Sequence, residues 1–146
     1  KNLTVYDVLT IASMIEREVS VPSERKTVAA VIYNRLKMGE PLGIDATIRF
    51  ALDNWTEPLT DADLETDSPY NTRTNQGLPP GPIGNPGLAS IEAAAHPADT
   101  DVWLYVVKPG TCGEHVFSSS LAEHNRNVEK YEEAQAAAGG SPTDCG

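Results

Sequence analysis

The chain lacks a long apolar segment, has few aromatic residues and contains only two cysteines. No stretch approaches the roughly 20 apolar residues of a membrane-spanning helix, and the start shows no secretory signal pattern. Basic residues are also scarce, because 11 Lys and Arg stand against 21 Asp and Glu, for a formal net charge of −10. This balance argues against a nucleic-acid partner, which needs a basic surface, and against electrostatic docking on an anionic membrane.

What the chain does have suits one globular domain. It is 146 residues long and 40% hydrophobic, which is enough to build a core. The sequence begins in mid-pattern at Lys1, so we expect an excised domain whose membrane anchor, if the protein has one, was left behind. Prolines and glycines concentrate between Pro69 and Gly87. They predict a long, packed and functional loop whose proline-rich backbone is rigid.

Hydrophobic periodicity predicts a single α+β domain of several helices with a small antiparallel β-hairpin. The helices are expected to surround a cleft. We expect this domain to cover residues 1–138 and a flexible tail to cover 139–146. An extended segment is predicted over 42–47. The predicted strands are 102–108 and 115–118, and the predicted helices are 4–19, 23–38, 47–52, 60–64, 88–95 and 120–138.

The first predicted helix places a carboxyl group, Glu16, toward the edge of its apolar face. Steps of 100° define that face by Val5, Val8, Leu9, Ile11, Ala12, Ile15 and Val19, and put Asp7, Thr10, Ser13 and Arg17 opposite. A carboxyl group there is partly desolvated, which raises its pKa toward the range of a general acid for glycosidic bond cleavage. The helical wheel alone favours the plainer interpretation, a structural ion pair with Arg17, Arg25 or Arg35.

Other polar residues allow two interpretations each. Tyr70, Asn71 and Thr72 offer groups that bind sugars, but an Asn-stabilised turn fits equally. Asp45 and Thr47 form either an Asx turn or part of a site beside Glu16. The histidines lack zinc-site spacing, and no phosphate loop or nucleophile elbow is present, so no metal and no cofactor are expected. The two cysteines, Cys112 and Cys145, are either a disulfide or two free thiols.

A series of short motifs follows a fixed order along nearly the whole chain, to about Tyr131. They are residues 11–18 (IASMIERE), 23–25 (SER), 31–36 (VIYNRL), 41–47 (PLGIDAT), 68–72 (SPYNT), 77–83 (GLPPGPI), 85–87 (NPG), 104–107 (LYVV), 115–117 (HVF) and 124–125 (HN). As an ordered set they resemble the MltG-type (YceG-like) endolytic murein transglycosylases.

The resemblance implies a lysozyme-like active-site helix with Glu16 as the catalytic glutamate, the first acid of a Glu-basic-Glu motif. It implies cleavage of the β-1,4 bond between N-acetylmuramic acid and N-acetylglucosamine inside a glycan strand. Glu16 would protonate the bridging oxygen and then deprotonate the muramoyl 6-hydroxyl, which attacks its own anomeric carbon. A 1,6-anhydro end results without water, so one carboxylate suffices. The implied substrate-binding residues are Glu18, Asn34, Asp45, Thr47, Tyr70, Asn71 and Thr72.

The family setting implies an anchored protein at the outer face of the cytoplasmic membrane, with peptidoglycan as substrate and a penicillin-binding protein synthase as partner. That setting favours a disulfide between Cys112 and Cys145. Two positions depart from the family pattern, Gly43 where Gln is frequent and Arg73 where Tyr is frequent. Arg73 is expected to meet a peptide-stem carboxylate or to be a surface charge. The main alternative is a non-catalytic peptidoglycan-binding module. A pyridoxal-phosphate lyase is disfavoured because no phosphate cup accompanies the lysines.

Overall fold

Helices and one small hairpin build the fold, which confirms the predicted α+β class. The structure, a computed structural model, describes residues 3–145, so Lys1, Asn2 and Gly146 at the ends of the predicted domain and tail lie outside the described residues. A 3-10 turn at Pro22–Glu24 precedes the second helix. The elements are α1 (Val5–Glu18), α2 (Arg25–Met38), α3 (Asp45–Leu52), α4 (Asp61–Leu64), α5 (Leu88–Ala95), β1 (Leu104–Val107), β2 (His115–Ser118) and α6 (Leu121–Ala138).

Helix α1 is the central element. It begins at a capping box, in which the Thr4 hydroxyl accepts from the Asp7 backbone N–H and the Asp7 carboxylate accepts from the Thr4 N–H, each at 3.0 Å. Helices α2, α3 and α5 pack around it. Burial therefore follows position along α1 rather than one face. The predicted wheel is wrong in this respect, because Thr10 and Ser13 are buried whereas Val5 is 78% exposed.

The segments beside α1 form the walls of a cleft. Helix α2 ends at Met38 and is followed by Gly39 with φ 75°, a left-handed conformation that glycine adopts readily. Helix α3 begins at Asp45, two residues before the predicted start, so the predicted extended segment ends at Ile44. Strands β1 and β2 pair antiparallel from Leu104 opposite Ser118 to Val107 opposite His115.

The proline-rich loop is fixed onto α1. Ile83 is almost fully buried, and its backbone N–H donates to the Ser13 hydroxyl at 3.0 Å. The Ser13 hydroxyl in turn donates to the Thr10 carbonyl at 2.7 Å. This attachment sets where α5 begins, and it agrees with the expectation of a packed loop.

The end of the chain is tied to the hairpin loop. Cys112 and Cys145 are joined by a disulfide bond. The Gly110 N–H donates to the Pro142 carbonyl at 2.8 Å, and the Asp144 N–H donates to the Thr111 carbonyl at 3.1 Å. Over residues 139–145 the predicted flexible tail is thus held against the hairpin. None of the helices described is long and apolar enough to cross a membrane.

Candidate active site

A cleft passes the C-terminal end of α1. It consists of two neighbouring cavities of about 280 and about 320 Å³ that share Glu18 and Asp45 in their linings. We call the first the hairpin cavity; its other lining residues are Arg35, Leu42, Gly43, Tyr105, Val106, Val107 and His115. We call the second the tryptophan cavity; its other lining residues are Arg17, Ala46, Arg49 and Trp55. Glu18 and Asp45 therefore lie at the junction of the two cavities.

Glu18, the last residue of α1, is the partly buried acid of this cleft. The Tyr105 hydroxyl donates to Glu18 Oε1 at 2.6 Å. Burial raises the pKa of the Glu18 carboxyl group above its ordinary value, and the charge of Asp45 adds to the rise, while the Tyr105 hydrogen bond and His115 oppose it. Desolvation dominates, so the carboxyl group is biased toward its protonated form. A raised pKa brings a carboxyl group closer to the range that suits general acid catalysis.

Tyr105 reaches Glu18 across 87 residues of sequence because the hairpin packs its β1 strand beside α1. Burial, followed by the neighbouring Glu18, raises the pKa of Tyr105 well above its ordinary value. The phenol therefore stays protonated and remains a hydrogen-bond donor. Its ring contacts those of His115 and Phe117, with centroids at 4.9 and 5.7 Å.

His115 is held in the hairpin cavity by Glu24, from the 3-10 turn before α2. Both Glu24 oxygens are used: Oε2 accepts from the His115 backbone N–H and Oε1 lies against Nδ1, each at 2.8 Å. Both side chains are largely buried. Arg35 joins two walls of the same cavity, because it donates to the Trp103 carbonyl at 2.7 Å and to the Pro41 carbonyl at 2.8 Å.

Glu16 has a different environment. It is exposed, and its Oε1 accepts from the Gly87 N–H at 3.0 Å and from the Ser90 hydroxyl at 2.8 Å. These two hydrogen bonds, and then the charges of Arg25 and Arg17, lower the pKa of Glu16. The predicted partly desolvated environment is wrong, because α1 turns this residue toward the start of α5. There an anion is stabilised by the free N–H groups of the first turn.

The alternative of a close ion pair for Glu16 is also not what the structure shows. Among residues 3–145, the recorded ion pairs within 4.0 Å are Arg73 with Asp45 and His115 with Glu24. In the same range, no group of three His, Cys, Asp or Glu side chains is arranged to hold a metal ion.

Comparison with known proteins gives the family. A sequence model described as the YceG-like family matches residues 1–130. The chain belongs to the YceG-like family. The resemblance drawn from the ordered motifs is thereby confirmed.

Named relatives and a solved structure support this membership. The chain is 46% identical over 129 residues to an endolytic murein transglycosylase of Bacillus subtilis, a match that covers 88% of this chain and 35% of that protein. It is 38% identical over 136 residues to a protein of the same name from Streptococcus pneumoniae (90% and 24%). The crystal structure of a yceG-like protein from Listeria monocytogenes matches with TM-score 0.78 and 42% identity (85% and 39%). The YceG-like chain thus spans between 24% and 39% of the length of these proteins.

Three of the predicted sugar-binding residues are buried in the YceG-like domain and bond to protein groups. Thr47, Asn71 and Thr72 are at most 1% exposed. The Thr47 and Thr72 hydroxyls lie 2.9 Å apart, and Thr72 Oγ1 accepts from the Ile44 N–H at 2.9 Å. Asn71 donates to the carbonyls of Leu64 and Thr66 at 3.1 and 2.9 Å and accepts from the N–H groups of Arg73 and Thr74 at 2.9 and 3.3 Å.

This buried polar cluster is the Asn-stabilised turn that the sequence left open. Direct sugar contact by its three side chains is wrong in geometric terms, since they are inaccessible and hydrogen-bonded within the protein. The cluster instead holds the cleft wall. The Thr72 hydroxyl accepts from the Ile44 N–H, and the Thr72 carbonyl accepts from the Gly43 N–H at 3.0 Å. Those residues lead directly into Asp45.

Asn34 and Tyr70, the other two predicted sugar-binding residues outside the cleft lining, also contact other parts of the protein. Asn34 donates to the carbonyls of Thr100 and Val102 at 2.9 and 2.7 Å, which uses its amide to hold the segment before β1. The Tyr70 ring packs on Phe50, with centroids 4.9 Å apart. Of the predicted substrate-binding set, the structure therefore brings only Glu18 and Asp45 into the cleft.

Several cleft residues were not predicted. Tyr105, His115 and Trp55 line the two cavities, but each lies in a segment that reads as an ordinary strand or loop. The Glu24–His115 pair joins residues 91 positions apart. The available signal was His115 itself, because histidine is a frequent acid, base or ligand in functional sites.

Proposed function

We propose that this YceG-like domain cleaves peptidoglycan glycan strands as a lytic transglycosylase, with Glu18 as its acid/base. The named relatives are endolytic murein transglycosylases. The observation that carries the assignment is the position of Glu18, partly buried at the junction of two cavities, with its pKa raised by burial. One carboxyl group with a raised pKa in an open cleft matches the needs of this reaction.

The proposed reaction starts with a glycan strand lying in the cleft, with a muramoyl–N-acetylglucosamine bond beside Glu18. Protonated Glu18 gives its proton to the bridging oxygen as the bond between that oxygen and the muramoyl C1 breaks, and the bonding electrons leave with the oxygen. The Glu18 carboxylate then takes the proton of the muramoyl 6-hydroxyl, and O6 bonds to C1. The products are an N-acetylglucosamine 4-hydroxyl end and a 1,6-anhydro-muramoyl end, and Glu18 has its proton again.

The neighbouring groups support both halves of this cycle. The Tyr105 hydroxyl donates to Glu18 and stabilises the carboxylate that forms after the first proton transfer. The nearby negative charge of Asp45 favours the protonated form of Glu18 before that transfer. Asp45 itself is exposed and paired with Arg73 at 3.4 Å.

This proposal moves the acid/base role from Glu16, where the resemblance placed it, to Glu18. Glu16 is exposed, its pKa is lowered, and it lines neither cavity. A carboxylate stabilised in its charged form by two donors is a poor proton donor near neutral pH. Glu16 and Glu18 are only two positions apart on the same helix. Replacing each one separately therefore decides which of them is the acid/base.

The test digests purified peptidoglycan with the wild type, Glu18→Gln and Glu16→Gln, and measures anhydro-muropeptides by mass spectrometry. Loss of a general acid/base lowers rates by about 10²- to 10⁴-fold, so Glu18→Gln should lose the products and Glu16→Gln should keep them. Circular dichroism of each variant controls for folding. A folded Glu16→Gln chain that is inactive, beside an active Glu18→Gln, would return the role to Glu16.

Product chemistry tests the reaction type. Reducing muramoyl ends in place of anhydro ends would identify a hydrolase, in which water is the nucleophile. Binding without any product from the wild type would support the peptidoglycan-binding module.

For the whole protein we propose, from the family resemblance, an anchored enzyme at the outer face of the cytoplasmic membrane that ends nascent strands beside a penicillin-binding protein synthase. Within this chain the catalytic unit is residues 1–138, followed by the tail 139–146. Site-specific crosslinking of the full-length protein in cells tests the partner. Crosslinks to no synthase from any exposed face of the domain would contradict it.

A further inference from the structure

The tryptophan cavity carries a guanidinium group that lies over an aromatic ring. The Arg17 guanidinium carbon lies 4.2 Å from the centroid of the Trp55 ring. A guanidinium over an aromatic face is attracted to the ring by a cation–π interaction, which does not use up its N–H donors. Arg17 is exposed, so a molecule lying in the cleft can reach those edges.

The loop that carries Trp55 is itself anchored. Arg49 Nη1 donates to the carbonyls of Asn54 and Glu57 at 3.1 and 2.9 Å. The Glu57 N–H donates back to the Asn54 side chain at 2.9 Å. These bonds fix residues 54–57 onto the end of α3, so the ring under Arg17 is held in place by the protein.

The positive charge in this cavity has no close acidic partner. Within residues 3–145, the ion pairs shorter than 4.0 Å involve neither Arg17 nor Arg49. Asp45, the exposed acid at the cavity edge, is already paired with Arg73. Arg17 and Arg49 thus place two guanidinium groups beside Glu18 without an ion pair within 4.0 Å among the described residues, and Arg17 acts on Glu16 only through its charge, in a chain whose net charge is −10. A planar, partly immobilised guanidinium is the protein group best matched to a carboxylate.

We propose that the tryptophan cavity is a carboxylate subsite, in which Arg17 receives an acid group on the muramoyl arm of the substrate. The inference rests on the proposed function, since it needs a glycan strand passing Glu18. Among the two sugars of the strand, only the muramoyl residue carries a 3-O-lactyl arm. That arm ends either in the lactyl acid or in the carboxylates of a stem peptide. The subsite would thus select which sugar lies on this side of Glu18.

The test measures binding, which is independent of cleavage. The ligand is the N-acetylglucosaminyl-muramoyl disaccharide tetrapeptide, which lacks the muramoyl–N-acetylglucosamine bond that the enzyme would break. Its Kd is compared with that of the same compound with amidated carboxylates, by NMR titration. The wild type should bind the acid form about tenfold tighter, as one solvated charge-assisted contact provides. Arg17→Gln should bring this ratio near one.

Matched variants sharpen the result. Arg126→Gln removes an equally exposed arginine on α6 and should keep the wild-type ratio. Trp55→Leu should lower the ratio, because the guanidinium loses its stacking surface. A wild-type ratio near one, or a tenfold ratio that survives Arg17→Gln, would overturn the subsite.

Two further comparisons separate the sources of the carboxylate and the two proposals. A disaccharide with only the lactyl acid, compared with its lactyl amide, shows whether the lactyl group or the stem peptide is recognised. An acid preference that depends on Arg17, in a chain that forms no anhydro ends, keeps the subsite and rejects the cleavage proposal. Anhydro ends with no acid preference reject the subsite alone.

Discussion

Glu16 and Glu18 should change the stability of the fold in opposite directions when each is replaced by glutamine. Both carboxyl groups start from an ordinary pKa of 4.5, but the fold raises the pKa of Glu18 and lowers that of Glu16. A pKa that differs between the folded and unfolded chain makes the free energy of unfolding depend on pH. Glutamine removes the titration and keeps an amide oxygen that accepts the same hydrogen bonds.

For Glu18 the folded chain holds the proton more tightly than the unfolded chain. Its contribution to stability is therefore complete below about pH 4.5 and is lost as the pH rises through the raised folded value. Each unit of elevation corresponds to about 1.4 kcal/mol. At pH 7.5, Glu18→Gln should raise the free energy of unfolding, by on the order of 1 kcal/mol. At pH 4 this gain should be absent.

For Glu16 the sign is reversed. The lowered pKa means that the carboxylate stabilises the fold above about pH 4.5, and that this contribution is lost as the pH falls through the lowered folded value. The group is exposed, so solvent screening limits the effect. At pH 7.5, Glu16→Gln should lower the free energy of unfolding by roughly 0.5–1 kcal/mol.

The assay is urea unfolding of the wild type and both variants at pH 7.5 and pH 4, followed by circular dichroism. Equal m-values would show that the denatured states are comparable. A Glu18→Gln chain less stable than the wild type at pH 7.5 would mean that the fold stabilises the Glu18 carboxylate. That result would refute the argument that burial favours the protonated form of Glu18.

Two further predictions concern the hairpin. Tyr105→Phe removes the hydrogen bond that lowers the pKa of Glu18, so the alkaline limb of the pH–rate profile should move to higher pH; a move to lower pH would contradict the role given to the phenol. Cys112→Ser opens a bridge between residues 33 apart and should lower the free energy of unfolding by about 3–4 kcal/mol. Denaturation of the wild type with a reductant should match this variant, and an unchanged midpoint in both would show that the bridge adds no stability.

Much of the fold was predictable because its signals are local. The Thr4 cap of α1, Gly39 at the end of α2 and the Ser120 cap of α6 each depend on groups within a few residues. The hairpin follows from a strand, a glycine turn and a second strand. The helical wheel of α1 failed because it assumes one buried face, whereas α2, α3 and α5 surround this helix.

The site was less predictable because its contacts join distant segments. Glu18 meets Tyr105 across 87 residues, and His115 meets Glu24 across 91. Nothing in the sequence near either acid reports these partners. The cluster of Thr47, Asn71 and Thr72 shows the converse error, since its hydrogen-bonding groups suggested sugar contact. Burial decides that such groups serve the protein, and burial is a property of the whole fold.

The two glutamates of the Glu-basic-Glu motif show why one motif can hold two different jobs. A helix turns successive side chains by about 100°, so residues two positions apart face different neighbours. Glu16 faces the free N–H groups at the start of α5, which favour a permanent anion, and this anion fixes the loop that ends at Gly87. Glu18 faces the partly buried phenol of β1, and burial raises its pKa. Environments that shift the pKa of two identical groups in opposite directions suit them to different roles, here the proposed acid/base at Glu18 and an anchoring carboxylate at Glu16. By this reasoning the neighbours of the two acids, rather than their shared identity, set what each carboxyl group does in the fold.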